Sequence, residues 1–281
     1  MYRRHGSILI ALVILGMLQA VPSSAVTILA TGLSGNVYRI DPVTGVGAYI
    51  GPGFGGANSA AISPSGVLYT VGGGPDQLAT VDPLTGIATP GPMLNMGGPV
   101  VGGATVRGLA FSPDGTLYAI QNGVDEYGRN VSDLLYTINL ETGVGTLIGN
   151  TGDASLQSLA FGPDGRLYSW SLGRGLEMLD AMTGLATDVN PAIGESPDMQ
   201  TIDFASDGTL YGVGGKLHED SLYRIDPVTG TASLIGSGGY DDIRGIWAIG
   251  TVPEPGTAAL LMVVIGPLLT RKFSQRCLRR G

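Results

Sequence analysis

Five side chains at one register offer the clearest binding chemistry in this sequence. Asn58, Arg107, Gln157 and Gln200 each stand eight residues before a turn glycine, at Gly66, Gly115, Gly165 and Gly208, and Arg244 aligns with them. Each is a long or amide-bearing hydrogen-bond donor. Two and four residues on, the same face turns apolar, as in Leu109 and Phe111, Leu159 and Phe161, or Ile202 and Phe204. That alternation puts the polar residue where a half-buried strand begins. Five donors brought together suit a polar or anionic ligand, such as a sugar acid. They equally suit a wetted channel entrance whose donors bond loop carbonyls. Three residues after each donor, Ala61, Ala110 and Ala160 give way to Asp203 and Trp247. Asp203 could pair with Arg244 or Arg107. Trp247 could stack on a sugar face or fill the packing between neighbouring units.

Other chemistry is sparse. His218 is the one histidine of residues 26–250, so a histidine metal cluster is excluded there. A Ser-His-Asp triad would depend on that residue, within KLHEDS at 216–221. A carboxylate pair for glycoside chemistry stays open. No cofactor is implied. Calcium could sit near Asp241-Asp242 or Asp198, although no EF-hand spacing is present. The loop NGVDEYGRNVS (122–132) carries Asp125, Glu126, Tyr127 and Arg129, as a contact loop or a plain solvated one. The run Gly72-Gly73-Gly74 lacks the lysine and helix of a phosphate loop. Cys277 is the single cysteine and lies in a basic tail, so residues 26–250 have no disulfide and no thiolate chemistry. Those residues hold 22 acidic and 8 basic side chains, a net charge of −14 against −8 for the whole chain. Such a surface repels nucleic acid and anionic headgroups, so no nucleic-acid partner is expected.

Two repeated phrases must position these residues. The first is IDPVTGVG (40–47), VDPLTGIA (81–88), INLETGVG (138–145), LDAMTGLA (179–186) and IDPVTGTA (225–232). The second is ISPSGVLY (62–69), FSPDGTLY (111–118), FGPDGRLY (161–168) and FASDGTLY (204–211). Both read as β-hairpin turns. Proline presets φ, Asp or Ser bonds the backbone ahead, and the closing glycine tolerates positive φ. The Thr-Gly glycines, from Gly45 to Gly230, are 41, 57, 41 and 46 residues apart. Two hairpins in about 45 residues is the period of a propeller blade. The reading is an all-β chain, a β-propeller of five four-stranded blades. Each blade takes the proline-glycine hairpin first and the Thr-Gly hairpin second. The fifth is built from both ends, with IRGIWAIG (243–250) as its first strand and residues 26–51 as the rest. A β-sandwich, an open β-array, or a sixth blade within residues 91–105 are the alternatives.

The two ends carry an address. Arg3 and Arg4 precede an apolar stretch at 8–18, then small residues with a cut expected after Ala25. This is the layout of a signal peptide over residues 1–25, the apolar core being short for a membrane anchor. Residues 251–281 hold Pro253-Glu254-Pro255, an uncharged stretch at 257–270, then Arg271, Lys272, Arg276, Arg279 and Arg280. As a helix the stretch would span roughly 21 Å, short of a ~30 Å hydrocarbon core, with its basic end held in the cytoplasm. This tail resembles the PEP-CTERM sorting signal, over about the last 30 residues. Pro267, inside the apolar stretch, departs from the pattern. The resemblance implies processing near Pro253, Glu254 and Pro255 by an exosortase, a membrane-embedded cysteine transpeptidase. It also implies a transient tether to the inner membrane through the tail helix, then delivery to the cell surface or extracellular matrix. The expected function is an exported, non-catalytic propeller that binds an extracellular polysaccharide or protein. An extracellular carbohydrate-active enzyme and a structural surface protein without a small ligand are the other readings.

Overall fold

The computed structural model describes residues 26–97, 105–192, 197–214, 220–240 and 242–250. They form five antiparallel four-stranded sheets, as the repeat predicts. Blade 1 holds β4 (Ser59–Ile62), β5 (Leu68–Gly72), β6 (Gln77–Val81) and β7 (Ala88–Met93). Blade 2 holds β8 (Val106–Phe111), β9 (Leu117–Val124), β10 (Asn130–Ile138) and β11 (Gly145–Asn150). Blade 3 holds β12 (Ala160–Phe161), β13 (Leu167–Ser171), β14 (Gly175–Leu179) and β15 (Ala186–Asp188). Blade 4 holds β16 (Met199–Phe204), β17 (Leu210–Gly214), β18 (Ser221–Ile225) and β19 (Ala232–Ser237). In blade 5, β20 (Ile243–Ile249) pairs with β1 (Thr27–Gly32), followed by β2 (Val37–Ile40) and β3 (Gly47–Gly51). The last strand thus pairs with the first, with Leu29 opposite Trp247.

The innermost strands contact one another in a closed circuit, β4 to β8, β12, β16, β20 and back to β4. Because β4 and β8 touch directly, no sixth blade stands between them; residues 98–104 lie outside the described residues. Closure leaves no free sheet edge at the ends of the chain. No helix among the described residues is long and apolar enough to cross a membrane. Residues 1–25 and 251–281, where the sequence leads one to expect a signal peptide and a sorting tail, lie outside the described residues.

The turns form for the reasons their residues suggest. In the first Thr-Gly turn, Asp41 Oδ1 accepts from Val43 N at 2.7 Å and Thr44 N at 3.1 Å. Gly45 closes it at φ 71°. Asn139 serves the same way in blade 2, accepting from Glu141 N and Thr142 N at 2.9 Å each.

Five apolar clusters fill the five blade boundaries. Val71 and Leu78 of blade 1 meet Leu109 and Tyr136 of blade 2. Ile120 and Leu135 of blade 2 meet Leu159 and Leu167 of blade 3. Trp170 and Leu176 of blade 3 meet Ile202 and Leu210 of blade 4. Val213 and Leu222 of blade 4 meet Ile28 and Ile246 of blade 5. Leu29 and Trp247 of blade 5 meet Ala60 and Leu68 of blade 1. Each fully buried aliphatic side chain contributes about 1.5–3 kcal/mol relative to exposure. At the rim, each Thr-Gly turn seats on the outer strand of the preceding blade. A Cβ on Gly51, Gly149 or Gly236 would collide with the carbonyl of Thr85, Thr183 or Thr44 respectively. That contact explains why an Ile-Gly pair follows three of the turns.

Candidate functional site

The five register-matched residues fall at or just before the start of the innermost strands, at one end of the channel. Four are half-buried and Gln157 is buried. They bond across blade boundaries. Asn58 donates Nδ2–H to the Val106 carbonyl at 2.8 Å. Arg107 donates Nη1–H to Gln157 Oε1 at 3.1 Å. Arg244 donates Nη1–H to Gln200 Oε1 at 2.9 Å. The boundaries 1–2, 2–3 and 4–5 are therefore linked through this register.

The two arginines have unlike surroundings. Arg244 also holds Asp242 Oδ1 through Nε at 2.7 Å and Nη2 at 2.5 Å. Arg107 has no carboxylate within ion-pair distance among the described residues, and its buried Nε has no hydrogen-bond partner among them. It lines a cavity of about 110 Å³ with Asn122, Asn130, Asp133 and Gln157.

Other expected partners are placed differently. Asp203 pairs with neither arginine. Its Oδ2 accepts from Ala248 N on β20 at 2.8 Å, and its Oδ1 from Phe204 N at 2.9 Å. The reason is proximity, since β16 and β20 run side by side and Asp203 reaches the neighbouring backbone first. Burial pushes its carboxyl up to about 7, against the lowering effect of those two N–H groups. Trp247 is fully buried and donates Nε1–H to the Ala61 and Tyr69 carbonyls at 3.0 Å, so packing is its use. The 122–132 loop is a hairpin tip held by Asp125 and Arg129, 2.6 Å apart, with Tyr127 exposed. Asp242 is engaged with Arg244, and no group of three or more metal-ligating side chains occurs among the described residues. His218 and Asp241 lie outside them.

The structure adds a set of acids that sequence reasoning missed. Asp76 and Asp220 stand just before the third strand of a blade and Asp133 lies within it, beside a register shift, and each accepts a backbone N–H from the next blade. The partners are Val106 N at 2.6 Å, Leu156 N at 2.8 Å and Ile243 N. A signal existed, because each stands six residues before the Asp or Asn of a Thr-Gly turn. Arg174 takes that place in blade 3. It pairs with Asp153 at 2.5 Å and lies 3.3 Å from Glu177 Oε1. The second contact is close enough for attraction but not aligned to donate, so both Glu177 carboxylate oxygens lack a hydrogen-bond partner among the described residues. Burial, with Asp153 and Asp188 nearby, pushes Glu177 up to about 7 against the pull of Arg174. Asp133 is pushed up to about 6, chiefly by burial, while its bonds from Gly123 and Leu156 and the nearby Arg107 charge hold it down.

Comparison with known proteins agrees with the fold. No protein-family model matches the chain, and no curated protein is significantly similar to it. Among solved structures, a chain of the nidogen/laminin complex aligns at TM-score 0.52 and 12% identity, covering 79% of this chain and 97% of that one. A gluconolactonase from Xanthomonas campestris aligns at TM-score 0.47 and 14% identity, over 78% of this chain and 79% of that one. Regucalcin, a calcium-binding protein from Agrobacterium tumefaciens, aligns at 0.45 and 18%, over 75% and 70%. At such identities the likeness is one of fold.

Proposed function

We propose that this chain is an exported propeller that binds an extracellular glycan or protein at its channel mouth, without catalysing a reaction. The observation that supports it is the set of donors from neighbouring blades at one end of the channel, with the Arg107 guanidinium opening on a cavity. The export half of the reading rests on the signal-like start and the PEP-CTERM-like tail. In this account the chain is tethered to the inner membrane, processed by an exosortase near Pro253-Glu254-Pro255, and delivered to the surface or matrix. Its acidic domain suits a soluble protein outside the cell.

The test is to incubate the full chain with exopolysaccharide from the producing organism and follow both retention and release of reducing ends. A double variant, Arg107→Ala with Arg244→Ala, runs alongside. Retention lost in the double variant, with no sugar released, is the expected result. Release of sugar would overturn the reading in favour of an extracellular carbohydrate-active enzyme. One observation favours that second reading. Asp133, a carboxyl pushed up to about 6, lines the same cavity as Arg107.

A further inference from the structure

We propose that the cleft between blades 2 and 3 is a carboxylate-binding site, and that its ligand is the carboxylate of an acidic sugar residue. This rests on the binding-module reading and narrows it to one guanidinium and one ligand class.

The two arginines of the mouth are not equivalent. In Arg244 three nitrogens are occupied and the charge is balanced by Asp242. In Arg107 only Nη1 has a partner among the described residues, Gln157. The groups around it are already committed in a way that leaves donors spare. Asn122 Oδ1 accepts from Thr105 N at 2.6 Å and from its hydroxyl at 3.2 Å, leaving the amide NH₂ to donate. Gln157 Oε1 is taken by Arg107, and its Nε2 has only a 3.5 Å contact with the Ser155 carbonyl. The Asp133 oxygens accept from Gly123 N at 3.1 Å and Leu156 N at 2.8 Å. The cleft therefore offers N–H donors around a planar guanidinium, the pattern that recognises a carboxylate fork.

Size and charge narrow the class. A cavity of about 110 Å³ is too small for a whole sugar ring and takes one carboxylate with its adjoining carbon. The rest of the ligand must lie outside, as a substituent on a polymer would. The Asp133 charge disfavours a dianion such as a phosphate monoester. A sugar acid is favoured over an acidic peptide by the lip. Asn130 lines the cavity and is exposed there, and its amide can both donate to and accept from sugar hydroxyls. The net charge of −14 on residues 26–250 gives no general attraction for polyanions, so binding must depend on this one guanidinium.

The experiment titrates the full chain with tetragalacturonate, its methyl ester and tetraglutamate. Tetragalacturonate should bind, and its methyl ester should bind at least ~10-fold more weakly, as expected for loss of a charged hydrogen-bond partner. Arg107→Ala should lose at least ~10-fold and Arg107→Lys less, and Arg244→Ala should lose clearly less than Arg107→Ala. Arg224→Ala, far from the mouth, is the control, and circular dichroism checks that each variant folds. Equal binding of the methyl ester, or equal losses at Arg107 and Arg244, would overturn the proposal. Tighter binding of tetraglutamate would overturn the sugar assignment in favour of an acidic peptide. Failure to bind tetragalacturonate would also overturn it. Retention of native exopolysaccharide in that case would leave the binding-module reading standing.

Discussion

Between blades 4 and 5, Tyr38 fills the position that Glu177 holds between blades 2 and 3. Tyr38 packs with Val213, Leu222 and Ile246 in an apolar cluster. Glu177 sits beside Arg174, Asp153 and Asp188, its carboxylate without a hydrogen bond among the described residues. Both boundaries keep the aspartate clasp, Asp220 in one and Asp133 in the other. Both carry an arginine–glutamine pair at the mouth. Yet in one the arginine is closed off by Asp242, and in the other it opens on a cavity. A repeated backbone can thus hold one boundary for cohesion and leave its counterpart wet and charged. Burying a carboxylate without hydrogen bonds is costly, so the second arrangement weakens the fold where it persists.

That contrast can be broken by substitution. Leu222→Ala, at the apolar boundary, should lose ~2–5 kcal/mol in urea unfolding. A loss below ~1 kcal/mol would mean that the packing there collapses around the gap, against the interdigitated core described. Asp220→Ala and Asp133→Ala should each lose about 1–3 kcal/mol, because each leaves a buried N–H of the next blade unbonded. Unequal losses would show that the clasps are not equivalent.

A pH titration sharpens the same comparison. Glu177 and Asp203 are held at about 7 and Asp133 at about 6, above the ordinary carboxylate range. The folded chain therefore binds more protons than the unfolded one between about pH 4 and pH 7, and stability falls as pH rises through that window. Below it the opposite holds. Asp82, Asp114, Asp125 and Asp226 are held down, in Asp82, Asp125 and Asp226 mainly by backbone N–H groups and in Asp114 mainly by the Ser112 hydroxyl, and they lose that benefit as they protonate. Melting temperature should peak near pH 4, where the two opposing slopes meet. Glu177→Gln should flatten the fall toward pH 8, raising Tm there by ~3 °C, the effect of about 1 kcal/mol in a chain this size. An unchanged slope would show that Glu177 is ionised in the fold. At the rim, Gly149→Ala should lose about 1–3 kcal/mol through its clash with Thr183, at any pH.

Blade number, strand order and ring closure were legible because the turns announce themselves. Asp-Pro-Val-Thr-Gly at 41–45 and 226–230 sets both the hairpin and its register. The mouth register was legible by counting back from the turn glycines. Which guanidinium stays open was not, because it depends on one neighbour. Asp242 stands two residues before Arg244, where Thr105 stands before Arg107. The pairing of Asp203 with Ala248 was also hidden, since it follows from the distance between two strands 45 residues apart. The clasps at Asp76, Asp133 and Asp220 were written in the spacing and could have been read from it.

The most direct test is to place two single variants, Arg107→Ala and Arg244→Ala, side by side on exopolysaccharide from the producing organism. Retention lost in the first and largely kept in the second is the result predicted. Retention kept in the first, or lost equally in both, would contradict the claim that one boundary of this ring is kept open for a ligand.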